Sequence, residues 1–383
     1  MPSRAIFATQ KVETSLSEIE RTYNLQCSHE CEVAKSTAKD RKDKLQKLWD
    51  VFMAHREDIR EAAIRDRGNH QSETDLTEVW GVSHERKQVI GKVSKWTWPK
   101  RVWTPLAFFG ARSWIHYEPK GVCLLISPWN FPFSLSFRPL LSAVAAGIKA
   151  IIKPSELTPH SSALIKRIVE EVFDEKEVAV VERAIETSQN LLKQSFYHIS
   201  TLGKVFMEAA SKHLASVTLE LGGKSPVLTE ETANIDMAAR RIALAKTLNN
   251  GQICIASDYM YVHESKKDEL LAKHTSQVRK MHGEESRASQ SYSRIVNQRQ
   301  HSRIKELVRD AKELGASLQH GGSCNEDENY YMEPTVLTVP TLTPNPKSCW
   351  ARFLAQCCLC IPINQWKNPL QPLVQERNDF SSM

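Results

Sequence analysis

Short apolar runs alternate with amphipathic stretches from Gly121 onward, and this alternation restricts the fold more than any other feature. Runs of strand length stand at 121–126, 149–153 and 178–181, and residues 160–173 between them have helical periodicity. A strand that is apolar throughout is typical of a parallel sheet covered on both faces. Strands that alternate with helices indicate the same architecture. The sequence therefore predicts an α/β protein.

The remaining segments extend this pattern in both directions. Apolar spacing between Ala38 and Ile64 predicts one long amphipathic helix, which the polar stretch 67–78 ends. Residues 202–214 continue the helices of the first part, and a second unit follows. Its predicted strands are 216–221 and 226–228, and its predicted helices are 234–247, 266–281 and 298–314, with Gly315 as the stop of the last one.

Composition excludes several classes of partner. The net charge is only +6 over 383 residues and forms no basic stripe, so nucleic acid is not an expected partner. No apolar run reaches the roughly 18 residues that a membrane span needs. The first residues, Met1 to Ile6, lack the apolar core of a secretory signal. We therefore expect a cytoplasmic protein with no membrane span.

The nine cysteines predict free thiols rather than a disulfide framework, because the expected compartment is reducing. Two groups stand close in sequence, one formed by Cys27 and Cys31 and the other by Cys357, Cys358 and Cys360. Neither has a second pair of ligands at zinc-site spacing, so no metal site is expected.

Three short segments carry residues suited to chemistry: Ser127-Pro128-Trp129-Asn130-Phe131-Pro132, Leu219-Glu220-Leu221-Gly222-Gly223-Lys224 and Gly251-Gln252-Ile253-Cys254-Ile255-Ala256. Each alone has an ordinary structural interpretation. Asn130 could hold a turn, Glu220 could be a solvated strand residue, and Cys254 could be a small buried side chain.

In this order, and together with Lys153-Pro154-Ser155-Glu156, the segments resemble the aldehyde dehydrogenase family, and most closely its class-3-like branch. The resemblance runs from the N-terminal helix to Glu333-Pro334-Thr335-Val336-Leu337. It implies an aldehyde dehydrogenase-like fold, in which a Rossmann-type dinucleotide-binding domain precedes an α/β catalytic domain. Residues 1–214 would form the first domain, and residues 215–340 an incomplete second domain that lacks its C-terminal part.

The resemblance also implies a set of catalytic roles. Cys254 stands at the family's nucleophile position, and a thiolate suits attack on an aldehyde. The Asn130 side-chain amide and the Cys254 backbone N–H would stabilise the resulting oxyanion. Glu220 would activate the water that hydrolyses the thioester, and Gly222 would let the backbone pass close to the site.

The implied cofactor is NAD or NADP. Lys153 resembles the family lysine that binds the adenosine ribose, and Glu156 resembles the acidic residue that favours the 2′-hydroxyl of NAD. Trp129 and Ser155 belong to the same two cofactor-binding segments, and Gly222 borders them. The competing interpretation of Lys153 and Glu156 is a surface ion pair, which would contribute little to stability.

The first departure from the family lies between Phe196 and Lys204. The chain reads F-Y-H-I-S-T-L-G-K, where the family pattern is F-D-H-I-F-F-T-G-S-T-x-V-G-K. About five residues are missing, including the first glycine of the turn that places a pyrophosphate at a helix N-terminus. Ser200 and Gly203 are interpreted as remnants of this turn, and Arg183 stands where the family tends to have glycine. We expect weak dinucleotide binding.

The second departure begins after Thr338, where the family continues with E-I-F-G-P-V-L-P, further strands and an oligomerisation arm. Residues 349–360 can be back-translated so that the frame starting at each third base reads L-G-E-I-F-G-P-V-L-P-V. Our hypothesis is a frameshift between Thr338 and Ser348, which makes residues 341–383 an out-of-frame tail. The last strands of the sheet should then be missing, its edges unpaired, and the family's usual homodimer cannot be assumed.

Three functions stay open on this reasoning. In the first, the chain is an enzyme that oxidises a small-molecule aldehyde, aliphatic or aromatic, to a carboxylic acid through a cysteine thiohemiacetal and thioester. Alternatively it is an inactive, truncated relic of an aldehyde dehydrogenase gene. A third option is an esterase-like activity, which needs Cys254 and Glu220 but no cofactor.

Overall fold

The computed structural model describes residues 15–182, 185–201, 203–325, 330–339 and 357–363. Residue contacts divide the chain into two units, Met1–Leu221 and Gly222–Met383, and each unit has its own five-stranded sheet. None of the helices in the described ranges is long and apolar enough to cross a membrane.

The first unit is built from ten helices and seven strands among its described residues. The helices are α1 (Leu16–Ser28), α2 (Glu30–Ala34), α3 (Ala38–Ala54), α4 (Arg56–Arg67), α5 (Gln71–Thr74), α6 (Trp80–Thr97), α7 (Pro132–Ala146), α8 (Pro159–Val172), α9 (Ile185–Leu191) and α10 (Lys204–Ser211). The strands are β1 (Lys100–Val102), β2 (Ser113–Ile115), β3 (Val122–Ile126), β4 (Lys149–Lys153), β5 (Val178–Val180), β6 (His198–Thr201) and β7 (Ser216–Leu219).

One sequence-based expectation about the N-terminal helices was wrong, and another was confirmed. The predicted single helix 38–64 is two helices, because His55 leaves helical geometry (φ −91°, ψ 15°) and its Nδ1 contacts Asp58 in the first turn of α4 at 2.7 Å. The polar stretch 67–78 is largely helical, and a π-helical turn at Asp75–Val79 joins α5 to α6. The predicted break at the start of this stretch is confirmed, because α4 ends at Arg67 with the left-handed Gly68 (φ 68°) as its cap. Helix resumes at Gln71, and Asp75 in the resumed segment is paired with Arg56 and Arg60 of α4.

The main sheet of the first unit is parallel throughout, in the order β5-β4-β3-β6-β7. Alternate residues of its strands are buried on opposite faces. Cys123 and Leu125 pack in the hydrophobic cluster that includes α3, α6, α7 and α8, whereas Val122 and Leu124 pack in the cluster that includes α1 and α9. This confirms the predicted parallel sheet with helices on both faces.

Strand β7 corrects another expectation. The sequence assigned residues 216–221 to a strand of the second unit, but Ser216–Leu219 pairs in parallel with β6 in the first sheet, with Thr218 opposite Ser200. The short helix α10 connects the two strands, since neighbouring parallel strands need a crossover connection. Sequence periodicity identifies a strand but carries no information on which sheet it joins.

The second unit contains three helices and seven strands among its described residues. The helices are α11 (Ile235–Thr247), α12 (Lys267–His282) and α13 (Gln298–Glu313). The strands are β8 (Ser225–Thr229), β9 (Ser257–His263), β10 (Ser317–His320), β11 (Cys324–Asn325), β12 (Tyr331–Met332), β13 (Thr335–Thr338) and β14 (Cys357–Ile363). The sheet order is β10-β13-β14-β9-β8, with β10 antiparallel and the other strands parallel.

Strand β14 lies in the tail that was expected to leave the sheet incomplete. It pairs in parallel with β13 on one side, where Leu337 is opposite Leu359, and with β9 on the other, where Tyr261 is opposite Ile361. The expectation that these neighbouring strands have unpaired edges was therefore wrong. Ladder hydrogen bonds come from the backbone, so an unrelated run of strand-forming residues can fill the same place.

Candidate functional site

The candidate site of the first unit lies where its strand order reverses. The chain leaves β3 toward β4 and β5, then returns to the other side of β3 to form β6 and β7. In open α/β sheets, the crevice outside the carboxyl ends of the strands at such a point binds ligands. The loops after β3 and β6 border this crevice, and the segments after β4 and β7 follow the next strands on either side.

Asn130 lies in the loop after β3, directly before α7. Its side chain is only 9% exposed. The loop is held at its start, where the Ser127 N–H donates to the Lys153 carbonyl at 3.0 Å. It is held again at half-buried Trp129, whose carbonyl accepts a hydrogen bond from Arg67 Nη1 at 3.1 Å. Asn130 is thus presented from an ordered loop.

Lys153 and Glu156 are brought together after β4. The Lys153 Nζ lies 2.9 Å from Glu156 Oε2 and also donates to the Pro154 carbonyl at 3.1 Å. Burial acts to raise the pKa of Glu156, but the hydrogen bond and charge of Lys153 hold it below its usual value. The Lys153 side chain is 4% exposed, so the pair is not the solvated surface pair that the sequence left open.

Ser155 is occupied by its own loop. Its Oγ accepts a hydrogen bond from the Leu157 N–H at 3.2 Å, and its carbonyl accepts one from Ser162 Oγ at 2.7 Å. The residue is 7% exposed. These bonds fix the turn that carries Glu156.

Ser200 does not lie in a turn, as the sequence suggested. It is part of β6, opposite Leu125 and Thr218, and is 8% exposed. The missing residues explain this difference. Because the segment is shorter than the family pattern, β6 takes in Ser200, which would otherwise follow the strand, in order to pair with both β3 and β7. Arg183 and Leu202 lie outside the described residues.

Gly203 keeps the position expected of a residue before a phosphate-binding helix. It has a left-handed backbone (φ 93°, ψ 170°), which favours glycine, and it is the N-cap of α10. The cap provides no side-chain acceptor for the first N–H groups of α10. Strand β6 ends at Thr201 and α10 begins at Lys204, so the connection has shrunk to two residues.

Glu220 directly follows β7, and its side chain is exposed. Its backbone N–H donates to the Thr201 carbonyl at 2.8 Å, which ties the segment to the end of β6. The residue lines a cavity of about 520 Å³ in the first unit, together with Leu125, Leu135 and Arg138. Gly222, which is exposed, is the first residue of the second unit.

Cys254 lies in the second unit, in a turn before β9 that the Ala256 N–H closes onto the Ile253 carbonyl at 3.1 Å. Its side chain is half-buried. Gln252, fully buried, fixes the start of this turn. Its Nε2 donates to the Asn249 and Arg294 carbonyls, both at 3.0 Å.

The chain reaches the Cys254 turn through three consecutive left-handed residues, Asn249, Asn250 and Gly251, with φ of 48°, 54° and 68°. Asn250 is fully buried, and its Nδ2 donates to the Ser293 carbonyl at 2.7 Å. Asparagine and glycine tolerate this geometry better than other residues. An ordered and strained approach thus sets the backbone of the cysteine turn.

Sequence reasoning assigned no role to Asn249, Asn250 or Gln252, nor to the Arg67–Glu78 pair behind the Asn130 loop. For the first group a signal existed, since Asn-Asn-Gly is a combination suited to left-handed backbone. For Arg67 and Glu78 the sequence contains no such signal, because only tertiary packing shows that these two charged side chains are buried.

The cysteines differ in what they can do chemically. Cys123 is buried in β3, and desolvation raises the pKa of its thiol to about 12, which keeps it protonated and unreactive. Cys254 is half-buried on a turn. Of the predicted catalytic residues, Asn130 and Glu220 belong to the first unit and Cys254 to the second.

The groups in the first unit fit a dinucleotide at two places. The uncapped N-terminus of α10 offers backbone N–H groups to a phosphate. Lys153 and Glu156 offer an ammonium and a partly exposed carboxylate to ribose hydroxyls. The fit to a phosphate is weaker than in the family, because the two-residue connection keeps only Gly203, whereas the family pattern has two glycines in this turn.

Comparison with known proteins identifies the family and the fold. The profile of the aldehyde dehydrogenase family matches residues 13–344. The chain is 42% identical to the 4,4′-diaponeurosporen-aldehyde dehydrogenase of Staphylococcus aureus over 303 residues, which cover 78% of this chain and 65% of that protein. It is 33% identical to aldehyde dehydrogenase family 3 member H1 of Arabidopsis thaliana over 343 residues, covering 88% and 69%.

A solved structure shows the same fold. The substrate-bound state of Staphylococcus aureus AldH superposes with a TM-score of 0.87 and 36% sequence identity, over 93% of this chain and 78% of that one. In the sequence alignment, the chain spans slightly less than two thirds of the length of the staphylococcal 4,4′-diaponeurosporen-aldehyde dehydrogenase.

Proposed function

The chain belongs to the aldehyde dehydrogenase family, and from this premise we propose that it oxidises an aliphatic or aromatic aldehyde to the carboxylic acid, with NAD or NADP as the hydride acceptor. The observation that carries the proposal is the Cys254 turn. A half-buried thiol follows a buried glutamine and a left-handed Asn-Asn-Gly approach, in the family's nucleophile motif.

The proposed roles follow from what the reaction requires. The Cys254 Sγ attacks the aldehyde carbon and forms a thiohemiacetal oxyanion. The Asn130 side-chain amide and the Cys254 backbone N–H donate hydrogen bonds to that oxygen. After hydride departure leaves a thioester, Glu220 takes a proton from the water that attacks it, which releases the acid and returns the thiolate.

The bound dinucleotide supplies the acceptor for the hydride. Lys153 and Glu156 would hold its ribose hydroxyls, and the N–H groups at the start of α10, after Gly203, would hold its phosphates. The resemblance to the family assigns Trp129 and Gly222 to the same cofactor-binding role. Since Glu156 keeps an anionic, partly exposed carboxylate, we favour NAD over NADP, whose 2′-phosphate it would repel.

A second candidate, an inactive chain, is favoured by one specific observation. The β6–α10 connection has only two residues, so the phosphate end of the dinucleotide has fewer backbone donors than the family motif provides. A chain that cannot bind the dinucleotide would retain at most the esterase-like reaction, which uses Cys254 and Glu220 alone.

The test is a set of three assays on the purified full chain. NADH or NADPH formation at 340 nm with medium-chain and aromatic aldehydes measures oxidation, p-nitrophenyl acetate hydrolysis measures esterase activity, and NADH fluorescence measures cofactor binding. We expect all three signals, with Cys254→Ser abolishing both reactions but not NADH binding. Hydrolysis without oxidation would support the cofactor-free reaction, and no signal in any assay would support the inactive chain.

Cytoplasmic location, independence from nucleic acid and the oligomeric state stay predictions. Subcellular fractionation tests the location, and light scattering of the purified chain measures the oligomeric state. The family is usually homodimeric, but its oligomerisation segment is absent from this sequence, so the measured mass decides between a monomer and a dimer.

A further inference from the structure

We propose that Arg67 and Glu78, a buried ion pair of the first unit, are positioning residues that hold the Asn130 loop in the geometry required for aldehyde oxidation. The inference rests on the proposed function, because that function makes Asn130 an oxyanion donor. It adds two residues that contact neither the aldehyde nor the dinucleotide in the proposed mechanism.

The pair contacts the backbone on both sides of Asn130. Arg67 Nη1 donates to the Trp129 carbonyl at 3.1 Å, one residue before Asn130. Glu78 Oε2 accepts the Ser134 N–H at 2.7 Å, four residues after it, and also accepts the Phe133 N–H. The loop is therefore fixed at both ends by two side chains that are themselves in contact.

Glu78 takes the place of a missing helix cap. The N-cap of α7 is Phe131, which offers no side-chain acceptor, and α7 begins with Pro132. The next N–H groups would lack a partner without the Glu78 carboxylate. A negative charge is also stabilising at a helix N-terminus, so Glu78 fixes where α7 starts and hence where the loop ends.

The pair is itself held in place from both sides. Each side chain is 1% exposed, and Arg67 Nη2 lies 3.5 Å from Glu78 Oε1. Arg67 Nε donates to Asn69 Oδ1 at 3.0 Å. Glu78 belongs to the π-helical turn Asp75–Val79, an irregularity often found at functional sites. Its first residue, Asp75, is anchored by Arg56 at 2.7 Å.

Stability alone is a poor explanation for this arrangement. Desolvation lowers the pKa of Arg67 and raises that of Glu78 to about 7, although the charge of each opposes the shift of the other. Burial thus disfavours both charged forms, and a buried ion pair is weak evidence for stability. The pair does provide two directed hydrogen-bonding groups at defined positions.

The test uses a double variant, Arg67→Met/Glu78→Leu, which removes both charges while keeping apolar bulk. Such replacements often leave a fold intact, because no unpaired charge remains buried. Hydrogen–deuterium exchange of peptides covering residues 128–136 is compared with that of peptides from β3 and β4. We expect exchange at Phe133 and Ser134 to rise about tenfold, as for the loss of one ordinary hydrogen bond, with unchanged exchange elsewhere and an unchanged Tm.

A matched control removes an ion pair that does not touch the loop. Lys44 Nζ and Glu177 Oε1 lie 2.6 Å apart in the same unit, and Lys44→Met/Glu177→Leu should leave exchange in residues 128–136 as in the wild type. If the first double variant keeps wild-type exchange in the loop, the proposal is wrong. If exchange rises equally in all peptides and the Tm falls, the pair is structural and the proposal is also wrong.

Kinetics provide a second readout that separates this proposal from the proposed function. If the wild type oxidises aldehydes, the Arg67/Glu78 variant should lose kcat by about 100-fold, the scale of a misplaced catalytic group. Its KM for the dinucleotide should change much less than kcat, since Lys153 and Gly203 lie on other segments and, of the proposed cofactor contacts, only Trp129 belongs to this loop. An unchanged kcat would contradict the positioning role. If the wild type is inactive, the proposed function fails, and loop exchange alone decides between positioning and structure.

Discussion

At the scale of single residues, two buried histidines of the second unit differ in whether they have a partner. His301 is fully buried, and its Nε2 is hydrogen-bonded with the Tyr331 carbonyl at 3.0 Å. His274, on α12, is 3% exposed, and neither ring nitrogen has a hydrogen-bond partner among the residues that the structure describes. Burial, and to a lesser degree the nearby His320, lowers the pKa of His274 to about 4. An unpaired buried imidazole of this kind is a cost to the fold.

His274→Leu should therefore stabilise the chain, by about 1–3 kcal/mol at pH 7, because it removes unsatisfied buried polar atoms. The effect should grow in acid. The pKa of His274 in the folded chain lies below its unfolded value near 6.5, so the unfolded state binds the proton first. The free energy of unfolding of the wild type is therefore unaffected by this group above pH 6.5 and falls as the pH drops toward 4. The loss over that window amounts to about 3 kcal/mol for this group, and the leucine variant should lack it.

Urea unfolding at pH 7, 6 and 5 measures this prediction as the difference between variant and wild type. The comparison is made with the wild type because His282 and His320 also have lowered pKa values, and they reduce the free energy of unfolding in acid in both proteins. His301→Leu is the contrasting control, since it removes a satisfied hydrogen bond and should destabilise. A destabilised His274→Leu would contradict the account.

At the scale of elements, the β6–α10 connection determines how much of a dinucleotide site the first unit has. Strand β6 pairs with β3 and β7 in spite of the missing residues, because it draws Ser200 and Thr201 into its ladder. Gly203 still caps α10. The sheet is thus preserved, and the shortening affects the turn that we propose holds the phosphates of the dinucleotide.

Restoring the missing residues should strengthen dinucleotide binding. The variant inserts Phe-Phe-Thr-Gly after Ile199 and Val before Gly203, which returns Ser200 to the turn and adds backbone donors. We expect the NADH Kd to fall tenfold or more, since each added charge-assisted hydrogen bond contributes about 1.5–3 kcal/mol. Fluorescence titration with NADH measures it.

A matched insertion with alanine in place of the new glycine serves as the control. It restores the length but not the left-handed freedom of the turn, so its Kd should stay near that of the unmodified chain. Equal tightening by both insertions would show that length, not turn geometry, limits binding.

At the scale of the whole molecule, the C-terminal tail is the least family-like part of the chain and yet supplies β14. Cys357–Ile363 occupies the place between β13 and β9 in the second sheet. The shifted-frame segment L-G-E-I-F-G-P-V-L-P-V overlaps these residues in the back-translation. If the frameshift hypothesis holds, the out-of-frame residues occupy a strand position in this sheet, which is possible because backbone pairing tolerates many apolar sequences.

The frameshift hypothesis predicts a specific nucleotide sequence. Resequencing the gene across codons 190–383 and past the stop should show that the shifted frame encodes the segment from Leu to Val above and continues into family-like sequence. A shifted frame that encodes unrelated residues at codons 349–360 would refute the hypothesis. Expression of the restored frame should also raise the Tm, since the second unit would gain further packing against its sheet.

The sequence by itself determined the α/β class, the positions of most strands and helices after Gly121, and the three family motifs. These follow from local periodicity and from residue types that chemistry demands. Strands such as Lys149–Lys153 were predicted to the residue, because an apolar run between two turns admits few other interpretations. The candidate residues Asn130, Glu220 and Cys254 were proposed from three motifs that together resemble the family, and their roles stay predictions.

Only the tertiary structure decided which sheet β7 joins, that a tail strand completes the second sheet, and that Ser200 is in a strand instead of a turn. It alone showed that Arg67 and Glu78 are buried together behind the Asn130 loop. Each of these depends on contacts between residues distant in the chain. Local sequence sets what a segment can form, whereas pairing and burial depend on which neighbours the whole fold brings to it.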